Sequence, residues 1–174
     1  MLSDLFLIRH GQPVSNPAIP YQLPPGPDLS ERGRAEARQV AIFLADKGVE
    51  LLLVSPFART TQTAEVLVDA LGLPVTFTTL AQEHAPNESF EQVRARAREL
   101  LAGLNDSPYQ RVGIVTHGSP IRALLLELSH DQIDLSKHVY HGGNPAPTCG
   151  VWQVTFNHQR TCRFELVFKP SWQP

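Results

Sequence analysis

Three apolar runs in this 174-residue chain each end in groups able to hold or attack an anion. Leu5 to Ile8 runs straight into Arg9-His10-Gly11. Leu51 to Val54 is followed by Ser55-Pro56-Phe57-Ala58-Arg59, and Val112 to Val115 by Thr116-His117-Gly118. A pair of arginines supplies planar N–H donors suited to the non-bridging oxygens of a phosphoryl group, and a neutral imidazole beside them can attack phosphorus. Taken singly, a histidine or arginine at a strand end is more often structural or solvated than catalytic. Common placement raises their weight, because ligands of an open parallel α/β sheet bind beyond the carboxyl ends of its strands. The inferred chemistry is phosphoryl transfer through phosphohistidine. Cations beside His10 disfavour its imidazolium form and leave a lone pair for attack near neutral pH.

The elements that must carry these groups follow from the hydrophobic pattern. The apolar runs suit strands buried on both faces, and helical patterns separate them. One helix is expected over roughly 31–47, opened by Ser30 as N-cap and closed by Gly48, and another over 60–71, stopped by Gly72. A short third strand over 73–77, a charged amphipathic helix over 88–104 and a helix over 120–128 complete the alternation. Gly150 to Phe156 and Cys162 to Phe168 alternate in polarity and predict a hairpin around Asn157-His158-Gln159-Arg160. The expected fold is α/β: a single domain over 1–174, built as a three-layer α/β/α sandwich whose mostly parallel sheet ends in an antiparallel hairpin. Pro13, Pro17, Pro20, Pro24, Pro25 and Pro27 make the segment after the first strand a semi-rigid loop.

Composition narrows the partners. With 42% apolar and 18% charged residues and a net charge of −2, the chain reads as a soluble globular protein with no bias towards nucleic acid. No window approaches the ~18 continuous apolar residues a membrane helix needs, and the opening MLSDLF lacks the basic run of a leader, so no membrane association and a cytoplasmic location are expected. Cys149 and Cys162 lack C-x-x-C spacing and read as reduced packing residues, a hairpin disulfide being the alternative. His10, His84 and His117 form no close metal-binding motif, and neither metal nor cofactor is expected. Ser119 lacks a G-x-S-x-G elbow and fits the start of a helix instead. His138 and His141 read as polar surface residues.

LFLIRHGQPVSN (5–16), LSERGRAEA (29–37), VSPFARTTQTAEVL (54–67) and VTHGSPIRALL (115–125) resemble, in order and spacing, the histidine phosphatase superfamily, which includes phosphoglycerate mutases. That resemblance implies His10 as the nucleophile, Arg9 and Arg59 as a phosphate clamp, and His117 as a second histidine donating to a phosphoryl oxygen. It also implies that Gly11 and Gly118 let backbone approach the phosphate, and that Asn16 contacts it, unless Asn16 merely caps its loop. The family's acid sits in an L-x-E setting; here the sequence is Leu80-Ala81-Gln82-Glu83, one residue late. Glu83 is the first choice for acid, ahead of Glu88 and Asp28. A displaced acid favours leaving groups that need little proton help.

Two departures bear on substrate. Only a few residues separate Glu83 from the next helix, so the lid is short, and residues 12–31 contain no Lys or Arg to hold a second anionic group. Tyr21 and Leu23 with the prolines make a partly apolar rim, with Tyr21 placed to touch substrate. Arg94, Arg96 and Arg98 read mainly as solvated. The expected function is a metal-independent phosphomonoester hydrolase acting through phosphohistidine on a small phosphorylated metabolite. The alternatives are phosphoglycerate mutase-type transfer, a phosphohistidine protein phosphatase and a non-catalytic phosphate-binding module. Homo-oligomer formation stays open, since the terminal hairpin offers an edge that could pair.

Overall fold

Leu5 and Leu7 lie on one face of their strand and Phe6 and Ile8 on the other, and both pairs are buried. This period of two, repeated along the sheet, divides the core into two halves. In the computed structural model, which describes residues 1–157 and 161–171, six strands form one sheet. They are β1 (Asp4–Arg9), β2 (Leu51–Val54), β3 (Val75–Phe77), β4 (Arg111–Thr116), β5 (Val151–Phe156) and β6 (Cys162–Phe168), in the order β3-β2-β4-β1-β5-β6. The first four are parallel, β5 runs antiparallel to β1, and β6 antiparallel to β5.

Four helices connect them: α1 (Glu31–Leu44), α2 (Ala58–Leu71), α3 (Phe90–Asn105) and α4 (Gly118–Leu128). Leu5, Leu7, Leu53 and Ile114 pack with Val93 and Leu100 of α3 and Ile121 and Leu124 of α4. Phe6, Ile8, Leu52 and Val115 pack with Val40 and Leu44 of α1 and Ala64 and Leu67 of α2. The three-layer sandwich expected from the sequence is therefore the observed architecture, and crossovers between parallel strands require it. Cysteines 149 and 162 are both free thiols, the first fully buried.

Local sequence explains most of the boundaries. The Ser30 hydroxyl accepts from the Gly33 N–H and opens α1, and Gly72 in the left-handed region closes α2. Ser89 and Gln92 form a reciprocal capping box at α3. Helix α1 stops at Leu44 rather than near 47, because residues 45–48 turn before Gly48 takes a φ of 64°. The tip of the predicted hairpin turn, residues 158–160, lies outside the described residues. Among the described residues no helix is long and apolar enough to cross a membrane.

Candidate active site

Strands β1 and β4 are paired in register, Arg9 opposite Thr116, so the residues after each leave the sheet side by side. The His10 N–H donates to the Thr116 carbonyl at 2.9 Å, and the His10 and His117 rings stand 5.2 Å apart. On the other flank of β4, strand β2 delivers Ser55 to the same edge, and the first turn of α2 delivers Arg59. Glu83 arrives from the loop after β3. Arg9, His10, Arg59, His117 and Glu83 are all buried, with exposures of 6, 0, 0, 0 and 8%. The structure thus brings together every residue expected from the sequence to act in catalysis.

His10 is oriented by its own turn. Its Nδ1–H donates to the Gly11 carbonyl at 2.7 Å, which leaves Nε2 as the ring's lone pair. Burial first, then the neighbouring His117, Arg59 and Arg9, pushes its pKa well below the ordinary histidine value, so the ring is neutral at pH 7. The turn itself is tied down twice. The Gly11 N–H donates to Thr63 Oγ1 at 3.0 Å, and the Gln12 N–H to Glu36 Oε2 at 2.9 Å. A Cβ at Gly11 would stand 2.5 Å from the Gly33 carbonyl oxygen, and one at Gly33 2.2 Å from that of Gln12. The small size of Gly11 lets this turn press on the N-terminus of α1. Gly118 likewise makes room for Asn144, whose Oδ1 would be 1.5 Å from a Cβ there.

The second histidine has two partners. Ser55 Oγ lies 2.8 Å from His117 Nε2, and Glu83 Oε2 lies 3.4 Å from His117 Nδ1. With a carboxylate beside Nδ1, the proton of the neutral ring sits there, and the Ser55 hydroxyl donates to Nε2. Burial chiefly lowers the His117 pKa, to about 4, against the pull of Glu83. For Glu83, burial alone would raise the carboxyl, but His117, the His84 N–H and Arg59 together hold it well below the usual carboxylate range. Its Oε1 accepts from the His84 N–H at 2.9 Å and its Oε2 from Arg59 Nη2 at 3.0 Å. Glu83 is therefore an ionised carboxylate at neutral pH.

Three buried N–H donors of these side chains, Arg9 Nε, Arg59 Nε and Arg59 Nη1, lack a hydrogen-bond partner among the described residues, and His117 Nδ1–H has only the long 3.4 Å approach of Glu83. Buried donors are normally satisfied, and an unsatisfied set gathered around one neutral imidazole is the chemistry of an anion site. Helix α4 adds to it, since it starts at Gly118 with no side-chain cap on its N–H groups. A cation is the poorer match. Ligand atoms of His10, Glu83 and His117 lie within 4.8 Å of one another and could hold a metal. Two guanidinium groups beside them oppose a further positive charge, and one already occupies Glu83 Oε2.

Other expected residues fall into place differently. Tyr21 reaches His10 directly, with its hydroxyl 3.2 Å from Nε2 and its ring 4.1 Å from the Arg59 guanidinium carbon. Asn16 is exposed, and its Oδ1 accepts from the Ala18 N–H, which is the loop-capping geometry. Asp28 accepts from Gln62 Nε2, and Glu88 is bound bidentately by Arg96 at 2.6 and 2.7 Å, so both are committed elsewhere. Of the arginines of α3, Arg98 is exposed as expected, whereas Arg94 and Arg96 are half-buried in ion pairs. Arg94 and Arg98 pair with Glu127, and Arg96 adds to its Glu88 pair the carbonyls of Leu80 and Gln82. The chain folds back on itself here and supplies acids that helix periodicity alone does not show. His84 does not join the other histidines; its Nε2–H donates to the Glu88 carbonyl and its Nδ1 accepts from Ser119. His138 packs edge-on against the buried Trp152, whereas His141 is exposed.

Sequence reasoning missed Ser55, Glu36 and Thr63 as supports. Glu36 alone left a signal, a carboxylate on the apolar side of an amphipathic helix. Residues 5–86 and 78–167 match the family model of the histidine phosphatase superfamily (branch 1). The chain is 28% identical over 151 residues to the uncharacterized phosphatase PhoE of Bacillus subtilis, covering 74% of this chain and 78% of that one. It is 35% identical over 72 residues to the probable phosphoglycerate mutase GpmB of Erwinia tasmaniensis, which covers 41% of this chain but only 34% of that protein. Its fold superposes on a mycobacterial glucosyl-3-phosphoglycerate phosphatase solved with VO3, with a TM-score of 0.73 and 25% identity over 96% of this chain and 98% of the other.

Proposed function

Because this chain belongs to the histidine phosphatase superfamily (branch 1), we propose that it is a metal-independent phosphomonoester hydrolase that works through phosphohistidine at His10 on a small phosphorylated metabolite. The observation that carries this reading is that the unsatisfied guanidinium donors of Arg9 and Arg59 and the weakly held His117 Nδ1–H are buried with His10 at one sheet edge. In the first step Nε2 attacks phosphorus and the bond to the leaving oxygen breaks. Arg9, Arg59 and the His117 Nδ1–H hold the non-bridging oxygens, and their fixed donors stabilise charge as it develops. The two guanidinium groups supply the positive charge that a metal would otherwise bring.

Glu83 serves both half-reactions. As an ionised carboxylate it is ready to take a proton from the water that attacks phosphohistidine. To act as acid on the leaving oxygen it must first gain a proton. An entering phosphoryl dianion favours that, because it competes for Arg59 and places negative charge beside the carboxyl. Leaving groups that need little protonation gain most from such an acid. Residues 12–31 bring no cation to the rim, and the arginines of α3 are held in ion pairs. Both facts favour hydrolysis of a substrate with one anionic group over mutase-type transfer between carboxylated ones.

The test is hydrolysis of p-nitrophenyl phosphate in excess chelator, with rapid-quench mass spectrometry to find the phosphoryl group on His10. Activity that disappears with the chelator, or that survives in His10→Ala, overturns the reading. Interconversion of phosphoglycerates without release of phosphate would replace it with mutase chemistry.

A further inference from the structure

His10 is the proposed nucleophile, yet none of its surface reaches solvent. What covers the reactive nitrogen is a side chain that is itself exposed: Tyr21, 41% accessible, whose hydroxyl stands 3.2 Å from Nε2. With Nδ1–H committed to Gly11, Nε2 can only accept, so the phenol donates. The same ring lies over the Arg59 guanidinium at 4.1 Å, in cation–π geometry, and Arg9 lies beside the same hydroxyl. One side chain therefore engages the nucleophile and both clamp arginines together.

We propose that Tyr21 is a gate on the nucleophile: its hydroxyl holds the place of an incoming phosphoryl oxygen on His10 Nε2 and must be displaced before a substrate can react. This rests on the reading of His10 as the phosphoryl acceptor and adds a requirement on the ligand. To form an N–P bond at Nε2, the phosphorus must take the space the phenol oxygen holds. The exchange is unequal in the ligand's favour only when the ligand is highly charged. Tyr21 contributes a neutral hydrogen bond and a cation–π contact, whereas a phosphoryl dianion offers charge-assisted bonds to Arg9, Arg59 and His117, roughly twice as strong each. A neutral ester gains nothing comparable. The gate thus selects phosphomonoester dianions over uncharged ligands before any contact with the leaving group.

The proline-stiffened segment bearing Tyr21 lies on the surface with few hydrogen bonds to the body, so it can shift as a unit. Residues 14–18 and 20–25 are exposed. Among the described residues, the hydrogen bonds that tie the stretch to the body are that of Tyr21 to His10 and a 3.2 Å bond from Gln22 Nε2 to the His84 carbonyl. At its ends the Val14 N–H donates to the Asp28 carbonyl, and the Pro25 carbonyl accepts from the Ala58 N–H, so the segment is anchored where it leaves and rejoins the fold. Swinging Tyr21 outward breaks few contacts and leaves the catalytic set in place.

Binding of inorganic phosphate and of orthovanadate, measured by calorimetry on the wild type, Tyr21→Phe and Tyr21→Ala, tests the proposal without requiring turnover. Loss of the hydroxyl should tighten phosphate binding about threefold to tenfold, the worth of one net hydrogen bond. Tyr21→Ala, which also frees Arg59, should tighten it further. In the wild type alone, phosphate should produce a tyrosine ultraviolet difference spectrum as the phenol leaves the guanidinium for water, and Tyr21→Phe should lack it. Binding that is unchanged or weaker in both variants overturns the gate and makes Tyr21 a wall or a direct ligand of the phosphate. The two readings fail separately. Tighter binding in the variants without hydrolysis by the wild type keeps the gate and removes the hydrolase, whereas full hydrolysis with unchanged affinities does the reverse.

Discussion

Arg59 and Glu83 face each other across 3.0 Å in the interior, the guanidinium wholly buried and the carboxylate nearly so. Neither charge would be stable there without the other, since an isolated buried ion pays for its dehydration and recovers nothing. The pair fixes the clamp arginine and the candidate acid in one geometry while leaving Arg59 Nε and Nη1 for an anion.

Removing one partner should therefore cost stability and activity in separable ways. Arg59→Met is expected to lower stability by about 3–5 kcal/mol, because it strands the Glu83 carboxylate. The double variant Arg59→Met/Glu83→Gln should recover most of that stability but none of the activity towards an aryl phosphate. Urea unfolding and steady-state kinetics on the two singles and the double give both quantities. A double variant as unstable as Arg59→Met would show that the charge pair is not what holds this corner.

Stability should fall as the solution is acidified from about pH 6.5, the ordinary histidine value. The His117 pKa is depressed to about 4 in the folded protein, so between those values the unfolded chain binds the proton that the native state refuses. Stability is thus fully present above pH 6.5 and lost towards pH 4, by about 3 kcal/mol from this residue. His10 acts in the same direction. Glu83, whose pKa is depressed, adds a loss of the same sign below its ordinary value of 4.5. Urea midpoints at pH 7, 6, 5 and 4 should decline steeply in the wild type and less so in His117→Asn.

Ser55 acts through His117. Without its hydroxyl the ring loses the donor on Nε2 and part of the support that fixes its orientation. Ser55→Ala should lower kcat for an aryl phosphate about tenfold, the usual reach of a support to a catalytic ring, with a much smaller change in KM. A KM effect that exceeds the kcat effect would place Ser55 in substrate binding instead.

Arg96 holds the loop that carries Glu83. Its guanidinium bonds both oxygens of Glu88 and the carbonyls of Leu80 and Gln82, on either side of the turn. In Arg96→Met, amide exchange should quicken over residues 80–88, and kcat/KM should fall severalfold through a less well placed Glu83. Rescue of exchange protection by Arg96→Lys is not expected, because a single ammonium cannot reach four acceptors in the fork geometry of Arg.

The parts legible in the sequence are those that local pattern controls. Buried strands announce themselves as unbroken apolar runs, caps as Ser30, Ser89 and Gly72, and the reactive edge as Arg9-His10, Arg59 and His117 following those runs. Wrong or incomplete expectations concern partners. Arg94 and Arg96 looked solvated because their acids Glu127 and Glu88 lie on α4 and in the loop before α3. At Gly11 and Gly118 the sequence did not show that Gly33 and Asn144 pack where a side chain would stand.

By itself, then, the chain's order of residues determined the layers of the fold and the set of charged and imidazole groups at one sheet edge. Hydrophobic period and strand-end position are properties of neighbouring residues, and they survive in any window of a dozen positions. Only the tertiary structure decided which group meets which. His117 finds Ser55 across 62 positions of sequence, Glu83 finds Arg59 across 24, and Tyr21 comes down on His10 from the far side of a proline-stiffened loop. Those meetings depend on register between β1, β4 and β2 and on how loops pack over their ends. No local pattern encodes them, because each is fixed by the summed packing of elements distant in the chain.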